Sequence, residues 1–98
     1  MPVDVVATRD TGHLYLHIVN TAYEQPCRLT VQMAGLQLAG RRATVHCLRF
    51  LPRDAAQPDG PWTRAETDTL RVRRTGWDLH VQSRSAAIVV VPLKENRP

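Results

Sequence analysis

Apolar and polar residues alternate with a period of two along much of this chain, the spacing that sends successive side chains to opposite faces of a β-strand. The alternation is clearest from Gly12 to Met33. Leu14, Leu16 and Ile18 interleave with His13, Tyr15 and His17, and further on Cys27, Leu29, Val31 and Met33 interleave with Arg28, Thr30 and Gln32. Asn20 to Pro26 supplies turn-forming residues between the two runs, so the stretch reads as a hairpin with one aliphatic face. Val3 to Thr8 is a short strand before it. Arg9-Asp10-Thr11-Gly12 is the intervening turn, with a glycine that can take positive φ.

Beyond Met33, Ala34 to Gly40 is bracketed by glycines and suits a crossover between sheets. Ala43 to Phe50 alternates again, with Ala43, Val45 and Cys47 on one side. Leu51 to Arg64 contains three prolines and a glycine, which exclude regular ladder pairing and predict a long irregular loop of the kind that serves function or an interface. Thr69 to Val72 and Trp77 to Gln82 flank Arg73-Arg74-Thr75-Gly76 and read as a tight hairpin, with Leu70, Val72, Trp77, Leu79 and Val81 inward. Ala86 to Val91 is apolar on both parities. Such a strand is covered on both faces, or packs one face on another domain. Pro92 ends it, and Lys94 to Pro98 is a polar tail. With no helical periodicity and turn residues at short spacing, the pattern predicts an all-β fold, a single antiparallel β-sandwich of about seven to eight strands.

Composition narrows the function classes. A chain of 98 residues buries roughly 60–70% of the surface its unfolded form exposes, enough for one core but tight for a scaffold plus a large catalytic cleft. The net charge of +4 and pI of 9.8 raise the question of a polyanion partner. The basic residues are nevertheless scattered from Arg9 to Arg97 with no run longer than two, and Lys94 is the one lysine. That bias reads as codon composition, and nucleic acid is not expected as a partner. A secretory h-region, a transit peptide and an apolar span of ~18 residues are all missing, so no membrane partner is expected. Cys27 and Cys47 are too few for a disulfide framework or a zinc site and read as small buried hydrophobes, with a bridge between neighbouring strands as the alternative.

Four short runs carry a family resemblance: Asp4 to Thr8, Gly12 to Asn20, Cys27 to Val31, and Ser85 to Leu93. Together they resemble the C-terminal β-sandwich of α-L-arabinofuranosidases of glycoside hydrolase family 51, related to sandwiches that follow the (β/α)₈ barrel in other retaining glycosidases. The resemblance spans nearly the whole chain. It implies a non-catalytic accessory domain, partnered by the catalytic barrel of a glycosidase, whose acid/base and nucleophile glutamates lie on that barrel. It transfers no catalytic residue to this sequence. The Asn20 match implies a structural role, an Asn closing a strand and bonding turn backbone.

The chemistry-bearing residues fit that expectation. Glu66 and Asp68 fall on one strand face as a carboxylate pair would, but beside Arg64 and Arg71 they read as a charged, solvated edge that blocks strand addition. His13 and His17 are four apart, a metal spacing on a helix but ~13 Å on a strand. No metal and no cofactor is expected. Ser83 and Ser85 lack nucleophile-elbow glycines. What remains is a surface: His13, Tyr15, His17 and Val19 on the non-core face of the first arm, Tyr23 in the turn and Trp62 in the long loop. This set is the candidate domain interface. The alternatives are a carbohydrate platform in a free-standing binding module, and the contact face of a homo-oligomer.

Overall fold

Seven strands form, all but the first part of β5 where the sequence pattern predicts extended chain: β1 (Val3–Arg9), β2 (His13–Asn20), β3 (Cys27–Val31), β4 (Arg42–Phe50), β5 (Thr63–Arg71), β6 (Trp77–Val81) and β7 (Ser85–Pro92). The computed structural model describes residues 3–22, 25–32, 37–50, 63–73 and 76–94, and no helix occurs among them. Five strands make one antiparallel sheet in the order β1-β2-β7-β4-β5, and β3 pairs with β6 in a second. The two sheets share one core. Leu14, Leu16, Ile18, Ala43, Val89 and Val91 of the large sheet meet Trp77, Leu79 and Val81 of the small one, with Val72 and Leu93 at one end. The result is an all-β sandwich.

Two expected hairpins are not hairpins. The run from Gly12 to Met33 contains β2 and β3, but β2 pairs with β1 and β7 while β3 pairs with β6. The chain crosses from one sheet to the other between them. Both runs keep their aliphatic parity because they face the same core from opposite layers, which the pattern alone cannot distinguish from pairing. Asn20 pins the crossing. It is 1% exposed, its Oδ1 accepts from the Ala22 amide at 3.0 Å, and its Nδ2 donates to the carbonyls of Gln25 at 3.2 Å and Gln82 at 3.1 Å. The same correction applies to β5 and β6, which also lie in different sheets.

Local turn chemistry also departs from expectation in one place. Gly12 does not take positive φ. Asp10 closes the β1–β2 turn instead, its Oδ1 accepting from the amides of Gly12 at 2.9 Å and His13 at 2.7 Å, an Asx-type turn. Gly76 is the glycine whose conformation matters, with φ of 133° and no room for a Cβ, which would stand 2.5 Å from the Val31 carbonyl oxygen.

β5 begins at Thr63, so Thr63 and Arg64 are strand and not the end of the irregular stretch. The rest of that stretch, 51–62, lies outside the described residues. The crossover expected after β3 is observed, since the chain returns to the large sheet at β4. Cys27 and Cys47 are free thiols, half-buried, in different sheets.

Candidate docking face

The registers across the large sheet place the outward side chains in rows. One row runs Val6, His17, Ile88, His46, Thr67, and the next runs Asp4, Val19, Ala86, Leu48, Ala65. Phe50 continues the Leu48 parity on β4. Of the six large hydrophobic side chains exposed among the described residues, five sit on this face: Val6 at 58%, Val19 at 42%, Leu48 at 40%, Phe50 at 48% and Ile88 at 41%. The sixth, Val5, is on the inner side of edge strand β1. Neighbouring strands bring the apolar groups together, and His17, Val19, His46, Leu48, Ala65 and Ile88 line a shallow depression of about 510 Å³.

The outward face of the small sheet is chemically opposite. It carries Arg28, Thr30, Asp78 and His80. Arg28 and Asp78 form an ion pair, and the Thr30 hydroxyl donates to Asp78 Oδ1 at 2.9 Å. The Arg28 guanidinium first, then the Thr30 hydroxyl, hold the Asp78 carboxyl below its ordinary value of 3.8.

The residues singled out from the sequence distribute across the apolar face and its rim. Val19 and His17 belong to the patch, and His17 Nε2 lies 3.1 Å from the Thr8 hydroxyl. Tyr15 flanks it, between Thr8 and Val90, with its hydroxyl committed to Asp10 Oδ2 at 2.8 Å. That bond raises the Tyr15 phenol and is the largest cause of the lowered Asp10 carboxyl. His13 is at the far rim, opposite Pro92, its ring 5.9 Å from that of Tyr15. Tyr23 and Trp62 lie outside the described residues. The candidate set from the sequence omits Val6, His46, Leu48, Phe50 and Ile88, although the apolar second parity of Ala86 to Val91 marks the face that carries Ile88. The alternation in β4 implied an outward set once Ala43, Val45 and Cys47 were placed inward, but nothing short of the strand order places that set beside β2.

Asp10 and Asp78 are both held down by local hydrogen bonds, the opposite of the raised carboxyl a general acid needs. Burial first, then the Glu66 charge, push the Cys47 thiol up, away from an activated thiolate. Glu66 and Asp68 share the inner parity of edge strand β5 and are exposed. Arg64 Nε lies 3.3 Å from Glu66 Oε1.

No family model matches the sequence, and no curated relative matches it. Solved structures do match the fold. The α-L-arabinofuranosidase of Thermotoga maritima, in its arabinose complex, superposes with a TM-score of 0.74 at 19% identity over 94% of this chain. The family 51 α-L-arabinofuranosidase of Thermotoga petrophila RKU-1 superposes with a TM-score of 0.70 at 20% identity over 92%. A bifunctional glucanase-xylanase from a metagenome library gives 0.72 at 17% identity over 95%. This chain spans 19%, 19% and 16% of those three chains respectively. The chain therefore has the fold of a portion, under one fifth, of several much longer glycoside hydrolases.

Proposed function

We propose that this chain is a non-catalytic β-sandwich accessory domain of an α-L-arabinofuranosidase-like glycoside hydrolase, and that the outward face of its five-stranded sheet packs against the catalytic (β/α)₈ barrel. The observation that carries the reading is that face: Val6, Val19, Leu48, Phe50 and Ile88 are exposed together while the outward face of the other sheet is polar. Fully burying an aliphatic or aromatic side chain is worth roughly 1.5–3 kcal/mol relative to leaving it in water, and these five, 40–58% exposed, retain about half of that for a partner of matching shape. A catalytic domain fits as occupant because the fold neighbours extend far beyond the matched portion.

The test has two arms. The purified chain is assayed on aryl arabinofuranosides, with turnover at the blank rate expected and measurable hydrolysis overturning the reading. It is then co-expressed with a family 51 barrel lacking its own sandwich. Co-purification is expected, and loss of it in the Val19→Lys/Ile88→Lys variant. A chain that instead self-associates through this face, and becomes monomeric in that variant, makes the homodimer the correct reading. Saturable arabino-oligosaccharide binding weakened by Trp62→Ala makes it a carbohydrate-binding module.

A further inference from the structure

One end of the sandwich, away from the apolar patch, holds a cleft of about 600 Å³ lined by Arg41, Arg71, Arg73 and Lys94 over Leu38 and Val72. We propose that this cleft is a binding site for a small, multiply charged oxyanion, a ligand bearing carboxylate or phosphate groups. The four cations come from three separate stretches of the chain and are gathered by the fold. Arg41 precedes β4, Arg71 ends β5, Arg73 follows it, and Lys94 follows β7. Backbone bonds fix where each leaves the chain. The Val72 amide donates to the Arg41 carbonyl at 2.9 Å, the Lys94 amide to the Gln37 carbonyl at 2.9 Å, and the Ala39 amide to the Pro92 carbonyl at 3.0 Å.

The charge on the described residues of the cleft is of one sign. No Asp or Glu is among its described lining residues, and the ion pairs found among the described residues involve none of the four cations. Like charges on a concave wall repel one another and focus a positive potential, which an entering anion relieves. Three of the four are arginines, whose planar forks match carboxylate and phosphate oxygens two at a time. The volume lies within the range of small-molecule sites. A cleft confined to one end of the domain suits a compact ligand better than an extended polyanion, which needs a basic track along a face.

Acidic saccharides and phosphate esters share this chemistry, and titration separates them. The isotope-labelled chain is titrated by NMR with trigalacturonate in one arm and inorganic phosphate in the other, with neutral xylotriose as control. Saturable shifts at the Gly40, Val72 and Lys94 amides are expected in at least one charged arm and not with xylotriose. Arg41→Ala, Arg71→Ala and Arg73→Ala should each weaken binding about threefold to tenfold, and added salt should weaken it further. All three side chains are exposed, and the dispersion of each variant's spectrum reports that its fold is intact. Absence of saturable shifts in both charged arms overturns the proposal, as does affinity that survives the triple alanine variant. A single-stranded oligonucleotide is titrated as a further arm, and shifts seen only there overturn the proposal in favour of a nucleic-acid surface. Val19→Lys/Ile88→Lys lies elsewhere and should leave this binding unchanged, so failure here is distinct from failure of the docking reading.

Discussion

The two outward faces of this sandwich are built from the same alternation and meet water on opposite terms. On the small sheet, every position pairing outward is polar: Arg28 opposite His80, Thr30 opposite Asp78. On the large sheet the corresponding positions include Val6, Val19, Leu48, Phe50 and Ile88. A lone exposed aliphatic residue is ordinary on any protein, but a contiguous group on one face marks a surface that meets something other than water. The contrast is sharpest within β7. Val89 is fully buried and its neighbour Ile88 is 41% exposed, although nothing in their side chains separates them. Apolarity on both parities thus marks one face covered by this chain and one that, on the proposed reading, a partner covers.

The layer shared by both sheets sets the scale for breaking that contrast. Ile18 is 1% exposed, and Ile18→Ala should destabilise the chain by about 2–5 kcal/mol, the lost transfer energy plus the cavity left behind. Urea unfolding followed by Trp fluorescence measures it, since Trp77 lies in the same core. Next in size is Asn20→Ala. It leaves the Gln25 and Gln82 carbonyls and the Ala22 amide without their side-chain partner, at a cost of about 1–3 kcal/mol. Because Asn20 joins the end of β2 to the start of β3 and the end of β6, its loss should also raise amide exchange first at those three places.

How much of this was legible in the sequence depends on what each residue had to report. Inward parity was readable for Leu14, Leu16, Ile18, Leu70, Val72, Trp77, Leu79 and Val81, because burial on one face imposes a period of two regardless of partner. Strand partners were not. β2 and β3 look like the arms of a hairpin since a turn-rich link and matched faces serve a sheet-to-sheet crossing equally well. β5 was underestimated for another reason: Thr63 to Thr69 is polar on both parities, as an edge strand exposed on both sides can afford to be, so only its last residues carried a signal. Of the apolar face, the β2 side and the second apolar parity of β7 were visible, but the outward set of β4 and its place beside them were not, since strand order is a long-range property. The cationic cleft was invisible for the same reason, its residues being spaced from 41 to 94 in the chain.

The polar face offers a pH test. Asp78 is held below its ordinary value, chiefly by Arg28 and then by Thr30. A carboxyl whose folded pKa lies below its unfolded one contributes stability above the unfolded value and loses it as pH falls through the folded value. The contribution should therefore be complete at neutral pH and fade below about pH 4. Melting temperature followed downward from pH 5 should fall less steeply in Asp78→Asn than in the parent chain. Asp10, held down first by the Tyr15 hydroxyl and then by the Gly12 amide, titrates in the same direction. An Asp10→Asn comparison then separates the β1–β2 turn from the small sheet.

The smallest expected effect is the most informative about the apolar face. Ile88→Lys in the chain alone should change stability by no more than about 0.5 kcal/mol, the range of ordinary surface substitutions. The side chain is exposed, its row neighbours His17 and His46 leave room for a long side chain to reach water, and a lysine stem can lie along the aliphatic groups beside it. Val89→Lys, one residue away, places the same ammonium in the core and should abolish cooperative unfolding. If Ile88→Lys proved equally damaging in the isolated chain, the outward face would be contributing to this domain's own core and the contrast between the two faces would collapse. If it is silent alone yet disrupts assembly with a barrel, the stabilisation held by this face belongs to the complex. The apolar parity of β7 is then explained by a partner and not by the sandwich itself.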